Sequence, residues 1–402
     1  MRILELTVEG FRSLKKVTWK PGMLNVVIGP NGTGKSNLLR LLELVSVAAR
    51  GGLSKHVQAS GGMESILWDG KAKELSIDLK MSPPADHRDE QRDSLNYKLC
   101  LGRIGVTSSY RIDYELLGNY YRVDQGEETE PFKLIERRPG HSRVFDSNQK
   151  ALTGLEEEVP EDEAVLSLAA GPFTSNPLIS AYQKNLTAWS VYHDMHVDHD
   201  APIRSPVVTK LERRVSPDGQ NLVNVLHTLY SEDRDFKNEI NLAMRAAFGD
   251  EFEELIFSPA ADQRIQLRVQ WKPLSRQQSA ADLSDGTLRF LFLLAVLASP
   301  DAAPVIAIDE PETGLHPAML PIVAEYAAEA SQRSQIILTT HSPAFLDAFK
   351  DAELMTTVAF WENGETALRT LEGDAFQRWR QKYSMGKLLT SGELEQLAEA
   401  QA

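Results

Sequence analysis

Cysteine and long hydrophobic runs are nearly absent from this sequence. Its 402 residues include one cysteine, Cys100, which cannot close an intrachain disulfide or build a cysteine-rich zinc site. We therefore expect a protein of the reducing cytoplasm, with Cys100 as a small buried hydrophobe. The most hydrophobic stretch, residues 290–298, is too short to span a bilayer and predicts a core helix. The N-terminus lacks the apolar region of a signal peptide, so no membrane partner is expected.

Positive charge is also scarce. Lys and Arg total 43 against 57 Asp and Glu, which gives a net charge of −14 at pH 7. This balance excludes a protein that binds nucleic acid over its whole surface, so any such contact needs a local basic patch. A content of 42% hydrophobic and 25% charged residues is typical of a globular protein and excludes a disordered or collagen-like chain. At about 150 residues per domain, the length predicts two to three domain-sized units.

Hydrophobic patterns divide the chain into three regions. Short β-like runs between residues 63 and 150 predict an antiparallel flap of sheet. Apolar residues at helical spacing from about 176 to 250 predict a helical insertion. From residue 261, strands alternate with helices, which predicts a mainly parallel α/β sheet. We accordingly predict an N-terminal lobe over 1–175, the insertion over 176–260 and a C-terminal lobe over 261–402.

A glycine-rich loop carries the first chemical signal. Residues 29–36, GPNGTGKS, match the pattern G-x-x-x-x-G-K-[ST] between an apolar strand and a leucine-rich helix. Backbone N–H groups of such a loop wrap phosphates, and the helix N-terminus favours negative charge there. Lys35 would reach the β- and γ-phosphates, and the Ser36 hydroxyl would bind Mg²⁺. The loop therefore predicts a site for ATP and Mg²⁺.

Two carboxylates follow a second apolar strand, VIAI at residues 305–308. Asp309 comes where a further contact to Mg²⁺ is needed, and Glu310 follows at the carboxyl edge of the sheet. A carboxylate at that edge can polarise the attacking water. Together with the glycine-rich loop, this pair predicts a nucleotide-hydrolysing site in which Glu310 is the general base.

Five motifs in order resemble those of the ABC-type ATPases. Besides the phosphate loop, residues 283–287 (LSDGT) resemble the signature loop, 309–317 (DEPETGLHP) the Walker B motif and D-loop, and 339–342 (TTHS) the switch histidine. Residues 10–13 (GFRS) look like the start of the SMC, RecF and OLD branch. The resemblance implies a P-loop NTPase fold, an ABC-ATPase-like head with a mainly parallel sheet, an antiparallel β flap and a helical insertion. Residues 83–280 lie outside these motifs, although two segments of them resemble bacterial predicted ATPases of this branch.

The same resemblance implies how the site works. In such enzymes the signature serine of one subunit caps the γ-phosphate held by the phosphate loop of the other, so a complete site needs a homodimer around two ATP molecules. It implies Glu310, His341 and Lys35 as catalytic residues, and Ser36 and Asp309 as Mg²⁺ ligands. In the signature loop, this sequence has Asp285 at the position where ABC transporters have glycine. The implied nucleotide contacts are Arg12, Ser13, Asn31, Gly32, Thr33, Gly34, Lys35, Ser36, Asn37, Ser284, Asp285 and Gly286.

The predicted function is Mg²⁺-dependent ATP binding and hydrolysis, coupled to engagement and release of the dimer. Relatives of this branch act on DNA or regulate a nuclease, in genome maintenance or phage defence, so DNA handling is the first hypothesis. The alternative is an ATP-gated scaffold that regulates a separate nuclease or toxin chain, because the 61 residues after His341 are too few for a nuclease domain of the OLD type. A transporter energiser is disfavoured by the GFRS start.

Three histidines and one glutamine are further candidates. His193, His196 and His199 alternate with aspartates, but at helical spacing three imidazoles hardly share one ion, so a structural or nucleotide-side role is favoured over a metal site. Gln58, after the first helix, is the candidate for the Q-loop glutamine.

Basic and aromatic groups also have two interpretations. The basic ones could contact phosphate backbones, although solvated loops are favoured, and the aromatic ones could stack a base, although most are predicted to be core. The basic residues are Lys133, Arg137, Arg138, Arg143 and Lys150, with Lys210, Arg213 and Arg214 as a smaller group, and the aromatic residues are Trp68, Trp189, Trp271, Tyr120 and Tyr121.

Overall fold

This computed structural model of the protein describes residues 1–84, 92–105, 107–121, 130–155, 159–169, 176–350 and 352–400. The strands are β1 (Ile3–Phe11), β2 (Leu14–Trp19), β3 (Leu24–Ile28), β4 (Glu74–Met81), β5 (Arg92–Arg103), β6 (Tyr110–Tyr121), β7 (Phe132–Arg138), β8 (His141–Asp146), β9 (Ala151–Gly154), β10 (Ser190–Tyr192), β11 (Val207–Val208), β12 (Phe252–Ala260), β13 (Arg264–Trp271), β14 (Gln278–Ser279), β15 (Val305–Ile308), β16 (Gln335–Thr340), β17 (Met355–Glu362) and β18 (Glu365–Thr370). The α-helices are α1 (Lys35–Arg50), α2 (Leu53–Ala59), α3 (Met63–Ile66), α4 (Val165–Ala169), α5 (Pro177–Thr187), α6 (Leu222–Glu232), α7 (Arg234–Phe248), α8 (Asp285–Leu297), α9 (Leu320–Ala330), α10 (Pro343–Asp347), α11 (Gly373–Lys382), α12 (Met385–Thr390) and α13 (Glu393–Ala400).

The central sheet has six strands in the order β10-β15-β16-β3-β17-β18. All neighbouring strands are parallel except β17 and β18, which form a hairpin. β3, β15 and β16 are buried along their whole length, because helices or a second sheet cover both faces. This confirms the predicted mainly parallel α/β sheet and brings the ends of three motif-bearing strands to one edge.

An antiparallel sheet of eight strands, β2-β1-β4-β5-β6-β7-β8-β9, packs beside the central sheet. Along a strand, residues on the buried inner face alternate with residues on the outer face. In β4, for example, buried and half-buried residues alternate. The predicted antiparallel flap is therefore present, and it includes the N-terminal hairpin β1–β2. Cys100, predicted as a small buried hydrophobe, is only half-buried on this sheet. Its thiol lies 3.3 Å from the Ser76 hydroxyl.

A third sheet, built on β12 and β13, adjoins helices α6 and α7. The segment predicted as a helical insertion, 176–260, therefore contains three helices and also β10, β11 and β12. β10 is part of the central sheet, parallel to β15, so the description of this segment as helical was incomplete. Three residues are too few to show a periodic pattern, which is why the sequence did not reveal this strand. The domain boundaries at 175 and 260 stay predictions.

Two hydrophobic clusters cover the two faces of the central sheet. Val26 and Val27, adjacent in β3, belong to opposite clusters, as alternation along a strand requires. One cluster joins the sheet to α6 through α10, α12 and α13, and the other joins it to α1 through α5 and the antiparallel sheet. The three C-terminal helices were not predicted from the sequence. Within the described residues, no helix is both long and apolar enough to cross a membrane.

Candidate nucleotide site

The glycine-rich loop joins β3 to the N-terminus of α1, as its sequence predicts. Gly34 caps α1 with a φ of 95°, and a Cβ there would collide with the Thr366 hydroxyl, so only glycine fits. The Lys35 ammonium is buried and donates to the carbonyls of Gly29 at 2.7 Å and Pro30 at 3.0 Å. Burial lowers the pKa of Lys35, against the opposing charges of nearby carboxylates. A buried cation with loop carbonyls as its partners can exchange them for phosphate oxygens.

The turn between β1 and β2 lies against this loop. The Asn37 amide donates to the Ser13 hydroxyl at 2.8 Å, and the Thr366 hydroxyl lies 2.7 Å from the same oxygen. Thr366 also donates to the Thr33 carbonyl at 2.8 Å. Arg12 has a φ of 47°, and its buried Nε has no hydrogen-bond partner among the described residues. The structure thus brings Ser13 to the loop and Arg12 close to Arg40 and Glu43 of α1, and it adds Thr366, which the sequence did not indicate.

Asp309 follows β15 and lies beside the loop. Its carboxylate accepts a hydrogen bond from the Thr339 hydroxyl, and the Ser36 hydroxyl is close enough to help lower the pKa of Asp309. Burial acts to raise the pKa of Asp309, but hydrogen bonds and the neighbouring His193 outweigh it, so the pKa lies below its ordinary value. An ionised carboxylate in contact with the Ser36 hydroxyl is the oxygen pair that a Mg²⁺ ion would take.

Glu310 and His341 meet at the same edge of the sheet. The Glu310 Oε1 lies 3.0 Å from the His341 Nδ1, and the Glu310 amide donates to the Thr339 hydroxyl at 3.0 Å. Glu310 has a φ of 45°, a conformation that costs a non-glycine residue about 1–3 kcal/mol and is found mainly at functional sites. Glu310 and His341, each predicted separately as a catalytic residue, are therefore in direct contact.

His193, for which the sequence favoured a structural or nucleotide-side role, lies beside Asp309. It follows β10, and its Nε2 lies 3.1 Å from the Glu43 carboxylate, while its Nδ1 lies 3.9 Å from Asp309. Burial acts to lower the pKa of His193, but the two carboxylates outweigh it and raise the pKa to about 9. His193 thus links α1 to the acid after β15. Gln58, the earlier Q-loop candidate, lies exposed on α2 beside Ser108 of the antiparallel sheet.

His196 and His199 do not join His193. The segment is an irregular loop and not a helix, so the predicted helical spacing does not apply. Both side chains are exposed and pair with their neighbours Asp198 and Asp200. In the part of the chain that the structure describes, no group of three or more His, Cys, Asp or Glu residues could hold a metal ion.

The signature residues lie at the N-terminus of α8. Ser284 is exposed and accepts a hydrogen bond from the Thr287 amide at 3.2 Å. A Cβ on Gly286 would lie 2.7 Å from the Gly314 carbonyl, so the signature and D-loop backbones pack closely. Asp285 is paired with Arg204, which is 7% exposed and also donates to the Leu283 carbonyl at 2.7 Å. The departure from glycine at position 285 therefore has a structural reason, since Asp285 is the counter-ion of Arg204.

The predicted basic patches are in part paired or buried and in part exposed. Residues 132–146 form β7 and β8, so the favoured description of this segment as a loop was wrong. Lys133 pairs with Glu136 at 2.7 Å. Arg137 is 5% exposed, donates to two backbone carbonyls and leaves the strand on the face opposite to Arg138. In the second group, Arg213 pairs with Glu232 and Asp301. Of the first group, Arg138, Arg143 and Lys150 are exposed.

The aromatic candidates mostly belong to the core, as expected. Trp189 is buried, and Trp271 packs edge-on against Phe248 and Phe252. Trp68 is half-buried beneath the Lys15 ammonium, 5.0 Å from the ring centre. Tyr120 is half-buried, and the side chain of Tyr121 lies outside the described residues.

Comparison with known proteins agrees with this geometry. Residues 24–347 match a family described as "AAA domain, putative AbiEii toxin, Type IV TA system". The chain belongs to this AAA domain family. It has the fold of an ABC and SMC-like ATPase head, which the solved structures that it resembles share.

Two of those structures are heads of Smc proteins. A crystal structure of an Smc head bound to the C-winged helix domain of ScpA has a TM-score of 0.57 at 17% identity, covering 92% of this chain and 98% of that chain. An Smc head with an extended coiled coil, bound to the C-terminal domain of ScpA from Pyrococcus furiosus, has a TM-score of 0.51 at 13% identity, covering 94% and 98%.

A curated relative is the DNA repair protein RecN of Synechocystis, 28% identical over 167 residues. The match covers 41% of this chain and 26% of RecN. The chain therefore aligns with about a quarter of that protein's length.

Proposed function

We propose that this head binds ATP with Mg²⁺ and hydrolyses it, through a homodimer that encloses two ATP molecules and handles DNA in repair or phage defence. The observation that carries the proposal is the meeting of Lys35, Ser36, Asp309 and Glu310 at one sheet edge. The residues fit such a ligand, because Lys35 donates to loop carbonyls that phosphate oxygens can replace, and the buried Arg12 Nε and His193 Nδ1 have no hydrogen-bond partner among the described residues.

Each residue has a role in this proposal. Lys35 and the N–H groups of residues 31–37 bind the phosphates, with Arg12 and Ser13 beside them. Ser36 and Asp309 would hold Mg²⁺, which when bound neutralises phosphate charge. Glu310 accepts the proton of the attacking water, and His341, hydrogen-bonded to Glu310, contacts the γ-phosphate.

The dimer is supported by where the signature lies. Ser284 is exposed at the start of α8, where its hydroxyl and the helix N-terminus can receive an anion from outside the chain. One chain carries one phosphate loop and one signature, so two chains arranged head to tail would complete two sites. Ser284, Asp285 and Gly286 then act across the interface.

DNA contact is supported by the name of the RecN relative and by exposed Arg138, Arg143 and Lys150. A second candidate function, an ATP-gated scaffold for a separate nuclease or toxin chain, is favoured by the pairing of Lys133 and Arg213 and by the net charge of −14. The two candidates share the ATP chemistry and differ in what the dimer holds.

ATP hydrolysis by the purified chain, with and without linear double-stranded DNA at two salt concentrations, tests the proposal. Lys35→Ala is expected to abolish hydrolysis, and DNA is expected to stimulate the unaltered chain in a salt-sensitive way. Equal turnover in Lys35→Ala would refute the ATPase. Lys35-dependent turnover that DNA leaves unchanged would favour the scaffold.

A further inference from the structure

Trp361 is a large apolar side chain left 55% exposed near the phosphate loop. It lies near the end of β17, two residues before the turn Asn363–Gly364. Both turn residues have positive φ, 50° and 84°, and Glu362 pairs with Glu365 across them, which defines a tight two-residue hairpin turn. The end of the hairpin is therefore well defined, and so is the place of the tryptophan.

Strand register shows which face of the hairpin carries the ring. Trp361 lies directly opposite Thr366, and directly opposed residues of an antiparallel pair share a face. Thr366 contacts the Thr33 carbonyl and the Ser13 hydroxyl, so that face is the one that meets the phosphate loop. Ala359, two residues earlier, belongs to the cluster that contains α1, whereas the alternate residue Phe360 packs against the opposite cluster. Trp361 thus leaves the hairpin beside the loop.

The acids after β15 indicate where the terminal phosphate of a bound nucleotide would lie, and hence on which side of the loop its base would lie. In the central sheet, β3 has β16 on one side and β17 on the other. Asp309, Glu310 and His341 follow the strands on the β16 side, so the terminal phosphate lies toward them. The part of a nucleotide beyond its phosphates would then lie on the β17 side of the loop, near Ser13 and Thr366. Trp361 stands on that side.

We propose that Trp361 is the stacking platform for the base of the nucleotide whose phosphates occupy the loop. This inference rests on the proposed function and adds a residue for the base to it. An indole face stacks any base. Substitution of such an aromatic residue by alanine lowers the affinity for the stacked ligand about 5- to 150-fold. Stacking would also cover apolar surface that the chain leaves in water. The platform favours large bases by contact area and selects little by hydrogen bonding.

Calorimetric titration with ATP and with inorganic tripolyphosphate separates the base from the phosphates. Trp361→Ala is expected to weaken ATP about 5- to 150-fold and to leave tripolyphosphate affinity unchanged, while Trp361→Phe keeps most of the ATP affinity. Tyr383→Ala removes another exposed ring, on the C-terminal segment, and is expected to bind both ligands as the unaltered chain does. Thermal melting of every variant checks that it is folded.

Tryptophan fluorescence gives a second measurement. The chain has six tryptophans, and ATP is expected to quench part of their emission in the unaltered protein but not in Trp361→Phe. Unchanged ATP affinity in folded Trp361→Ala would overturn the inference and leave the ATPase proposal standing. Equal weakening of ATP and tripolyphosphate would also overturn it, since the effect would then be on the loop. Failure of the unaltered chain to bind ATP in a Lys35-dependent way would overturn the proposed function itself, and this inference with it.

Discussion

Two clusters of buried polar groups, one around Glu115 in the antiparallel sheet and one at the edge of the central sheet, differ in how their atoms are hydrogen-bonded. In the antiparallel sheet, the buried Glu115 carboxylate accepts hydrogen bonds from the amides of Val165 at 2.7 Å and Leu166 at 2.9 Å, and from the Tyr97 hydroxyl at 3.0 Å. Neighbouring Arg137 donates to two carbonyls. At the edge of the central sheet, by contrast, the Arg12 Nε, His193 Nδ1 and Glu312 Oε2 are buried with no hydrogen-bond partner among the described residues.

The difference separates a structural cluster from a site. A buried polar atom without a partner costs about 1–3 kcal/mol, and a bound ligand that supplies the partner removes that cost. The Glu115 cluster needs nothing from outside and ties α4 to the antiparallel sheet. The edge of the central sheet combines open donors, the strained Glu310 and the Ser36–Asp309 pair. Substitutions in the first region should change stability, and substitutions in the second should change chemistry.

Among substitutions in the site, Glu310→Gln is expected to have the largest effect on ATP turnover. The amide keeps the shape of the side chain but cannot accept the proton of water, so ATP turnover should fall about 10²- to 10⁴-fold. ATP binding should persist, and the nucleotide-bound dimer should accumulate in size-exclusion chromatography. Glu325→Gln, exposed on α9, is the matched control and should turn over at the original rate. Wild-type turnover in Glu310→Gln would show that another group is the base.

Glu115→Ala is the largest expected effect on stability. It leaves the Val165 and Leu166 amides and the charge of Arg137 without their carboxylate, which should cost about 3–5 kcal/mol of unfolding free energy. Urea unfolding measures the loss. Asp78→Ala, which breaks only the partly exposed pair with Lys98, should cost about 1 kcal/mol or less. A loss of ATP affinity in folded Glu115→Ala, without a loss of stability, would erase the distinction between the two regions.

Arg204→Lys tests a residue that shares features of both regions, since its hydrogen bonds are all made within the chain but its partners belong to the candidate site. Arg204 is buried and fully used, yet its partners are the signature loop and the loop that begins at His193, including the Val197 carbonyl at 2.8 Å. Lysine keeps the charge but lacks the several N–H donors of the planar guanidinium group. The free energy of unfolding should therefore fall by about 1–3 kcal/mol. Arg213→Lys, in an exposed pair, should stay within about 0.5 kcal/mol. Equal stability of the two variants would mean that the signature loop does not depend on Arg204.

The sequence showed part of the candidate site and missed the rest for a physical reason. Lys35, Ser36, Asp309, Glu310 and His341 stand in short motifs, and the structure brings all of them to one edge. His193, Arg204, Thr366 and Trp361 stand in no such motif. Exposed Trp361 had a detectable signal, since it precedes an Asn-Gly turn between strand-like runs. The basic residues of the first group do not form one patch, because alternation along a strand places neighbours such as Arg137 and Arg138 on opposite faces.

Sequence alone determined the phosphate loop, the acids that follow an apolar strand, the parallel alternation of the C-terminal half and the antiparallel flap. These depend on conformations of a few consecutive residues, which local side chains and glycines decide. Only the tertiary structure decided that His193 joins Glu43 to Asp309 across 150 residues, and that Thr366 meets Ser13 across 353. Such contacts depend on the order and register of strands in the sheet, which hydrophobic burial over the whole chain selects and no single segment encodes.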